Sequence, residues 1–271
     1  MPEGDTLFRT AAGLRPHLVG RRLLRARVRP PGPRVERLVG ATIMAVDSVG
    51  KNLLIRFEGG WELRSHLGMH GTWHRYRPGE AWRRAPARAR LVLEVDDAVA
   101  VCFDAPTLEL LETRAEAVHA PLARLGPDLL GAWTPDDEAE AVRRLRDPSR
   151  ATLTVAEGLL DQTAVAGIGN IWKNETLWAE RVFPFAPLAA LDEPTLRQLL
   201  ATARSKLRAS AEPGGRRPTM AAYGRAGRPC RRCGTVLRSR THGALARRTT
   251  WCPRCQAAPA PSARSTREAA G

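Results

Sequence analysis

Hydrophobic residues recur with two different spacings in the first half of the chain. Between Asp5 and Leu18 they follow the period of a helix, which predicts one helix near the start. Two later segments, 41–58 and 89–103, are rich in β-branched residues that partly alternate with polar ones, and the first turns at Gly50. They predict strands of an antiparallel sheet, so we expect this half to mix helix and strand.

The second half has a helical pattern from about residue 126 onward. Thr134-Pro135-Asp136-Asp137 has the composition of a capped helix start. Further helices are predicted over 152–161, 170–181 and 194–209. The first two of these are joined through Gly167-Ile168-Gly169-Asn170, whose glycines permit tight turns and close backbone approach. Such a helix pair can present backbone N–H groups to a phosphate, or it can be an ordinary helix connection.

Composition restricts the class of partner. The chain has 271 residues, 43% of them hydrophobic, which is enough for a sizeable core. Its formal net charge of +15 predicts a polyanionic partner, either nucleic acid or an acidic membrane surface. No stretch approaches the ~18 apolar residues that cross a bilayer, and no signal peptide pattern is visible, so we expect a cytoplasmic protein.

Four of the five cysteines form two pairs, Cys230-x-x-Cys233 and Cys252-x-x-Cys255. In a reducing compartment this spacing predicts one tetrahedral zinc ion bound by four thiolates. Four protein ligands leave no open position for a substrate, so the zinc ion is expected to be structural. Arginines between the pairs could contact a nucleic-acid backbone, or the module could serve only as a stability clamp.

The first residues carry candidate chemistry. Removal of Met1 would leave Pro2 with a free secondary amine beside the carboxylate of Glu3. A free α-amino group has a pKa of about 7.7–8.0, so part of it is nucleophilic at neutral pH. An iminium formed from this amine and a sugar aldehyde carbon would withdraw electrons and favour elimination. The alternative is that both residues simply begin an ordinary chain.

Several motifs in a fixed order favour a catalytic N-terminus over the start of an ordinary chain. They are Pro2-Glu3-Gly4, Gly50-Lys51-Asn52-Leu53-Leu54, His66-Leu67-Gly68-Met69, Gly167-Ile168-Gly169-Asn170, Tyr223-Gly224-Arg225 and Trp251-Cys252-Pro253-x-Cys255-Gln256. From residue 2 to about 256 the chain resembles the formamidopyrimidine-DNA glycosylase and endonuclease VIII family of bifunctional DNA repair enzymes. The opening, through Asp5-Thr6, is more similar to the actinobacterial endonuclease VIII branch.

The resemblance implies an α+β fold and a domain order. The expected parts are an N-terminal catalytic β-sandwich with flanking helices (1–125), a helix-two-turns-helix DNA-binding domain (126–225), a zinc ribbon (226–257) and a disordered tail (258–271). The implied cofactor is one structural zinc ion per chain. The implied partner is damaged DNA, bound between the domains by a monomer that is associated with the nucleoid and not with a membrane.

The resemblance also implies residue roles in catalysis. Pro2 would attack C1′ of the damaged nucleotide, and Glu3 would donate the proton that assists ring opening and base loss. Lys51 would support excision and elimination, since its cation would contact phosphate and favour a neutral Pro2.

Further residues would contact the DNA. Asn170 and Arg247 would hold the phosphates that flank the lesion, Arg124 would make a further DNA contact, and Met69 would fill the gap left by an extruded base.

Two departures from the family pattern leave alternatives open. Thr6 stands where many members have Glu, which leaves the lesion class open between oxidised pyrimidines, our first expectation, and oxidised purines. His66-Leu67-Gly68-Met69 is the purine-branch version of its loop. Arg248 follows Arg247 where the family prefers a small residue, and we expect Arg247 to enter the site. The remaining alternative is a zinc-ribbon protein that binds damaged DNA without cutting it.

Overall fold

The structure is a computed structural model that describes residues 2–212 and 219–258. The α-helices are α1 (Gly4–Leu18), α2 (Ala120–Ala123), α3 (Pro135–Leu145), α4 (Val155–Gly158), α5 (Asn170–Ala179) and α6 (Glu193–Ala211). The strands are β1 (Arg25–Val28), β2 (Ile43–Val49), β3 (Asn52–Phe57), β4 (Trp61–His66), β5 (Thr72–Tyr76), β6 (Ala89–Glu94), β7 (Val99–Phe103), β8 (Thr107–Glu112), β9 (Arg238–His242) and β10 (Arg247–Trp251).

Two antiparallel four-stranded sheets form the N-terminal part, in the orders β1-β6-β7-β5 and β2-β3-β4-β8. Their inward residues, among them Leu53 and Leu63 from one sheet and Leu91 and Ala100 from the other, share one hydrophobic core. The apolar face of α1 packs into the same core.

A separate hydrophobic core joins α3, α4, α5 and α6. Helix α3 begins as the sequence predicts, because Thr134 and Asp137 form a reciprocal capping box. The predicted helix over 152–161 is wrong in length: α4 is a single turn. The chain turns after it because the Asp161 carboxylate accepts hydrogen bonds from the backbone N–H and hydroxyl of Thr163.

Strands β9 and β10 form a hairpin that packs against α5. Asn174 on α5 accepts a hydrogen bond from the Thr250 N–H at 2.6 Å, and the Trp178 indole N–H lies 3.3 Å from the Cys230 sulfur. The predicted α+β class, with a β-sandwich, a helical part and a four-cysteine hairpin, is confirmed. The tail predicted over 258–271 lies, apart from its first residue, outside the described residues. No helix within the described ranges is both long and apolar enough to cross a membrane.

Candidate active site

The carboxylate of Glu3 lies against the N-terminus of α5. It accepts hydrogen bonds from the backbone N–H groups of Gly169 at 3.1 Å, Ile171 at 2.7 Å and Trp172 at 3.3 Å. The backbone N–H of Gly4 donates to the carbonyl of Gly167 at 3.0 Å, which fixes the N-terminal segment on the same turn. From the sequence, a phosphate was one possible partner of these N–H groups. In the structure they bind a carboxylate of the chain itself.

Glu3 has an environment suited to a proton donor. It is only 1% exposed, and this burial raises the pKa of its carboxyl group. The N–H groups of Ile171 and Trp172 and the charge of Lys51 oppose the rise without cancelling it. Pro2, the residue before it in the chain, is half-buried.

Lys51 is positioned by the tight turn between β2 and β3. Val49 pairs with Asn52 across the turn, and Gly50 has a φ of 57°, a conformation that glycine adopts without strain. The N–H of Gly50 donates to the carboxylate of Asp128 at 2.7 Å, so the turn is anchored to the helical part. Burial lowers the pKa of Lys51 to about 8; the charge of Glu3 opposes this shift and that of Arg247 adds to it.

Arg247 and Met69 approach each other from opposite parts of the protein. Met69 lies on the loop after β4 and is 54% exposed, and its sulfur is 3.7 Å from Nη1 of Arg247 at the start of β10. Arg247 is half-buried on the side of Lys51, whose pKa its charge lowers, whereas Arg248 is exposed. Arg124 is exposed after α2. The structure thus brings the charges of Glu3, Lys51 and Arg247 near one another and places Met69 against Arg247. Within the described parts of the chain, Arg124 has no hydrogen bond to any of these residues.

Asn170 is the first residue of α5, and its side chain belongs to a buried polar group. Its Oδ1 accepts a hydrogen bond from Nζ of Lys173 at 2.8 Å, and Lys173 also donates to Oγ1 of Thr249 at 2.7 Å. Asn170 is 7% exposed and Lys173 is 1% exposed. The predicted phosphate-binding residue is therefore connected, through a lysine, to the strand that carries Arg247.

The sulfur atoms of Cys230, Cys233, Cys252 and Cys255 all lie within 4.8 Å of one another. A tetrahedral zinc site with Zn–S bonds of about 2.3 Å separates its sulfurs by about 3.8 Å, and Cys233 and Cys252 are 3.5 Å apart. The backbone N–H groups of Arg232 and Cys255 point at sulfurs, as they do toward thiolates. The four cysteines can therefore hold one metal ion.

Comparison with known proteins shows which family has this architecture. The model of the formamidopyrimidine-DNA glycosylase N-terminal domain matches residues 1–107, and that of the formamidopyrimidine-DNA glycosylase H2TH domain matches residues 126–220. The chain belongs to the formamidopyrimidine-DNA glycosylase family. Two actinobacterial members illustrate its place within the family. A probable endonuclease 8 2 of Streptomyces coelicolor is 40% identical, covering 96% of each chain. The DNA-(apurinic or apyrimidinic site) lyase Nei2 of Mycolicibacterium smegmatis is 41% identical, covering 95% of this chain and 100% of its own.

One relative that has the name of the glycosylase is less similar to this chain than these two. A formamidopyrimidine-DNA glycosylase of Acidothermus cellulolyticus is 33% identical over 96% of this chain and 97% of its own. The predicted resemblance to the actinobacterial endonuclease VIII branch is thus confirmed. The crystal structure of Lactococcus lactis Fpg (MutM), in complex with DNA containing N7-benzyl-Fapy-dG, superposes with a TM-score of 0.80. It is 24% identical and covers 95% of this chain and 100% of its own, which shows a shared fold.

Sequence reasoning missed several residues that build the site of this family member. Asp128 anchors the Lys51 turn, and Glu175 accepts the N–H groups of Ala221, Ala222 and Tyr223 at 2.8–2.9 Å. Lys173 and Thr249 connect α5 to the hairpin. Only Lys173 had a visible signal, since lysine occurs in this arginine-rich chain at Lys51, Lys173 and Lys206 alone.

Proposed function

We propose that this protein is a bifunctional DNA glycosylase and abasic-site lyase that removes oxidised bases, with a preference for oxidised pyrimidines. The observation that carries the proposal is the buried carboxylate of Glu3, held by three N–H groups beside Lys51 and directly after Pro2. The relatives called endonuclease 8 and abasic-site lyase support the same chemistry. The substrate would be damaged DNA, which fits the net charge of +15 and a place at the nucleoid.

The reaction begins at Pro2. Once Met1 is removed, the proline nitrogen attacks C1′ of the extruded nucleotide and the bond from C1′ to the base breaks. The electron pair leaves on the base, which takes up the proton that the nitrogen gives up. Glu3 gives its proton to the ring oxygen, so the sugar opens and a C1′ iminium forms. Loss of a C2′ proton then expels the 3′ phosphate, and a second elimination can expel the 5′ phosphate. Water hydrolyses the iminium and regenerates the amine.

The surrounding side chains hold the substrate in this scheme. The cation of Lys51 contacts phosphate and, by like-charge repulsion, favours neutral Pro2. Asn170 and Arg247 hold the phosphates that flank the lesion, Met69 fills the gap in the stack, and Arg124 makes a further contact at the edge. The ion held by the four cysteines would be zinc, which lets the ribbon fold and keeps β10 in place.

Trapping with borohydride tests this proposal. The protein is incubated with a duplex that carries one oxidised pyrimidine and, separately, with a matched duplex that carries one oxidised guanine. We expect a covalent complex on the pyrimidine duplex and an intact mass that lacks Met1. Pro2→Gly should give a much lower yield of complex, because its primary amine can still form an imine but not the iminium of a secondary amine. Trapping with the guanine duplex alone would reverse the substrate class, a result that the His66-Leu67-Gly68-Met69 loop would favour. Binding of both duplexes without trapping would support a protein that recognises damage without cutting.

A further inference from the structure

Lys173 is a buried lysine to which the reaction above gives no role. It lies one turn after Asn170 on α5, is 1% exposed, and donates from Nζ to Asn170 at 2.8 Å and to Thr249 at 2.7 Å. Thr249 stands two residues after Arg247 on the same face of β10, since side chains alternate along a strand. One ammonium group therefore connects the first residue of α5 to the strand that presents Arg247.

The chemistry of an ammonium group determines how the Asn170 amide is oriented. Lysine Nζ has three donors and no acceptor, so the oxygen of the Asn170 amide must face it. Nδ2 of Asn174 lies 3.5 Å from the same oxygen and adds a second donor on that side. A reversed amide would place N–H groups against both donors. Nδ2 of Asn170 is thus directed away from them, and no residue within the described parts of the chain accepts a hydrogen bond from it.

We propose that Lys173 is a positioning residue that holds the Asn170 amide with its N–H groups toward a backbone phosphate of the damaged strand. The inference rests on the proposed function, because it needs DNA at this site. Lys173 is too deeply buried to contact the phosphate itself, so it acts through Asn170. Burial lowers the pKa of Lys173 to about 8; Glu3 opposes this shift and Arg247 adds to it, and a phosphate nearby would favour the charged form.

A double-mutant cycle tests this role. Dissociation constants are measured for wild type, Lys173→Met, Asn170→Ala and the double variant, on a duplex with a stable abasic-site analogue. A second duplex carries an uncharged methylphosphonate in place of the phosphate next to the lesion. Lys206→Met, which removes the same charge from α6, is the matched control. We expect Lys173→Met to weaken binding about tenfold on the normal duplex, as for loss of a charge-assisted hydrogen bond.

The cycle separates positioning from a general effect of charge. The double variant should bind no more weakly than Asn170→Ala, and Lys173→Met should have little effect on the methylphosphonate duplex. Additive losses, or unchanged binding by Lys173→Met, would overturn the proposal. If Lys173→Met does not fold, Lys173→Gln takes its place in the same cycle and must show the same non-additivity with Asn170→Ala. Borohydride trapping by the wild type is measured first, because failure there contradicts the proposed function and not this role alone.

Discussion

A Cβ atom at Gly169 would lie 2.2 Å from Cδ of Glu3. The absence of a side chain at Gly169 is therefore what allows the Glu3 carboxylate to reach the first turn of α5. The backbone at Gly169 is extended, with a φ of −122°, so the constraint on this position is one of space and not of backbone conformation.

Gly169→Ala should expel the Glu3 carboxylate and lower base excision by about 100-fold, the lower range of what a general acid contributes. Excision is measured in single turnover on a duplex with one oxidised pyrimidine. Gly13→Ala is the control, because its Cβ would meet nothing within 4 Å on a helix and alanine is favoured there. Equal excision by Gly169→Ala and wild type would show that Glu3 does not act from this position.

Arg247 and Arg248 should differ in what they do on DNA, although they are neighbours. Arg247 stands on the face of β10 that carries Thr249 and approaches Met69, while Arg248 is exposed on the other face. We expect Arg247→Ala to lower strand cleavage at an abasic site at least tenfold. Arg248→Ala should weaken binding of all duplexes alike and reduce the salt slope by about one. Cleavage rates and salt titrations of both variants show which arginine enters the active site. The reverse pattern would assign Arg248 to it.

Local signals in the sequence predicted most of the fold. Each of these signals involves residues close together in the chain: the capping pair Thr134 and Asp137, the β-branched runs and the paired cysteines. The structure has the elements that they predict. The family motifs singled out Glu3, Lys51, Asn170 and Arg247, whose roles stay predictions, although the structure places them around one end of α5.

The contacts that support these residues depend on pairs far apart in sequence. Glu3 binds the turn at Gly169, and Lys173 binds Thr249. No local pattern indicates such a partner, because a glycine or threonine that binds a distant residue has the same local sequence features as one exposed on the surface. The short α4 has a different, local cause. Asp161 accepts hydrogen bonds from Thr163 two residues later, whereas helical spacing alone extended the helix to residue 161.

Metal removal should inactivate the protein without unfolding the sandwich. The cysteine cluster contacts α5 through Trp178 and holds the ends of the hairpin that presents Arg247, so its loss should free that hairpin. We expect one zinc ion per chain by elemental analysis, and a loss of cleavage of about 100-fold or more in Cys252→Ser. Cys102→Ala, at the fifth cysteine and buried in the sandwich, should keep its zinc. An active Cys252→Ser protein without metal would contradict this role.

The buried charge of Lys51 should lower the free energy of unfolding, although the proposed reaction needs this charge. Its pKa falls from 10.5 to about 8 on folding, chiefly by burial, so the folded protein binds fewer protons than the unfolded chain between these two values. The free energy of unfolding should therefore rise with pH across that window, and the penalty should be complete below pH 8. Lys51→Met removes the charge, and we expect it to raise the free energy of unfolding at pH 7 by about 1–3 kcal/mol while abolishing excision. The gain should shrink toward zero above pH 10.5, measured by urea unfolding at pH 7 and near pH 10.5 with Lys206→Met as the control. A variant that is less stable than wild type at pH 7 would show that the contacts of Lys51 outweigh the burial of its charge.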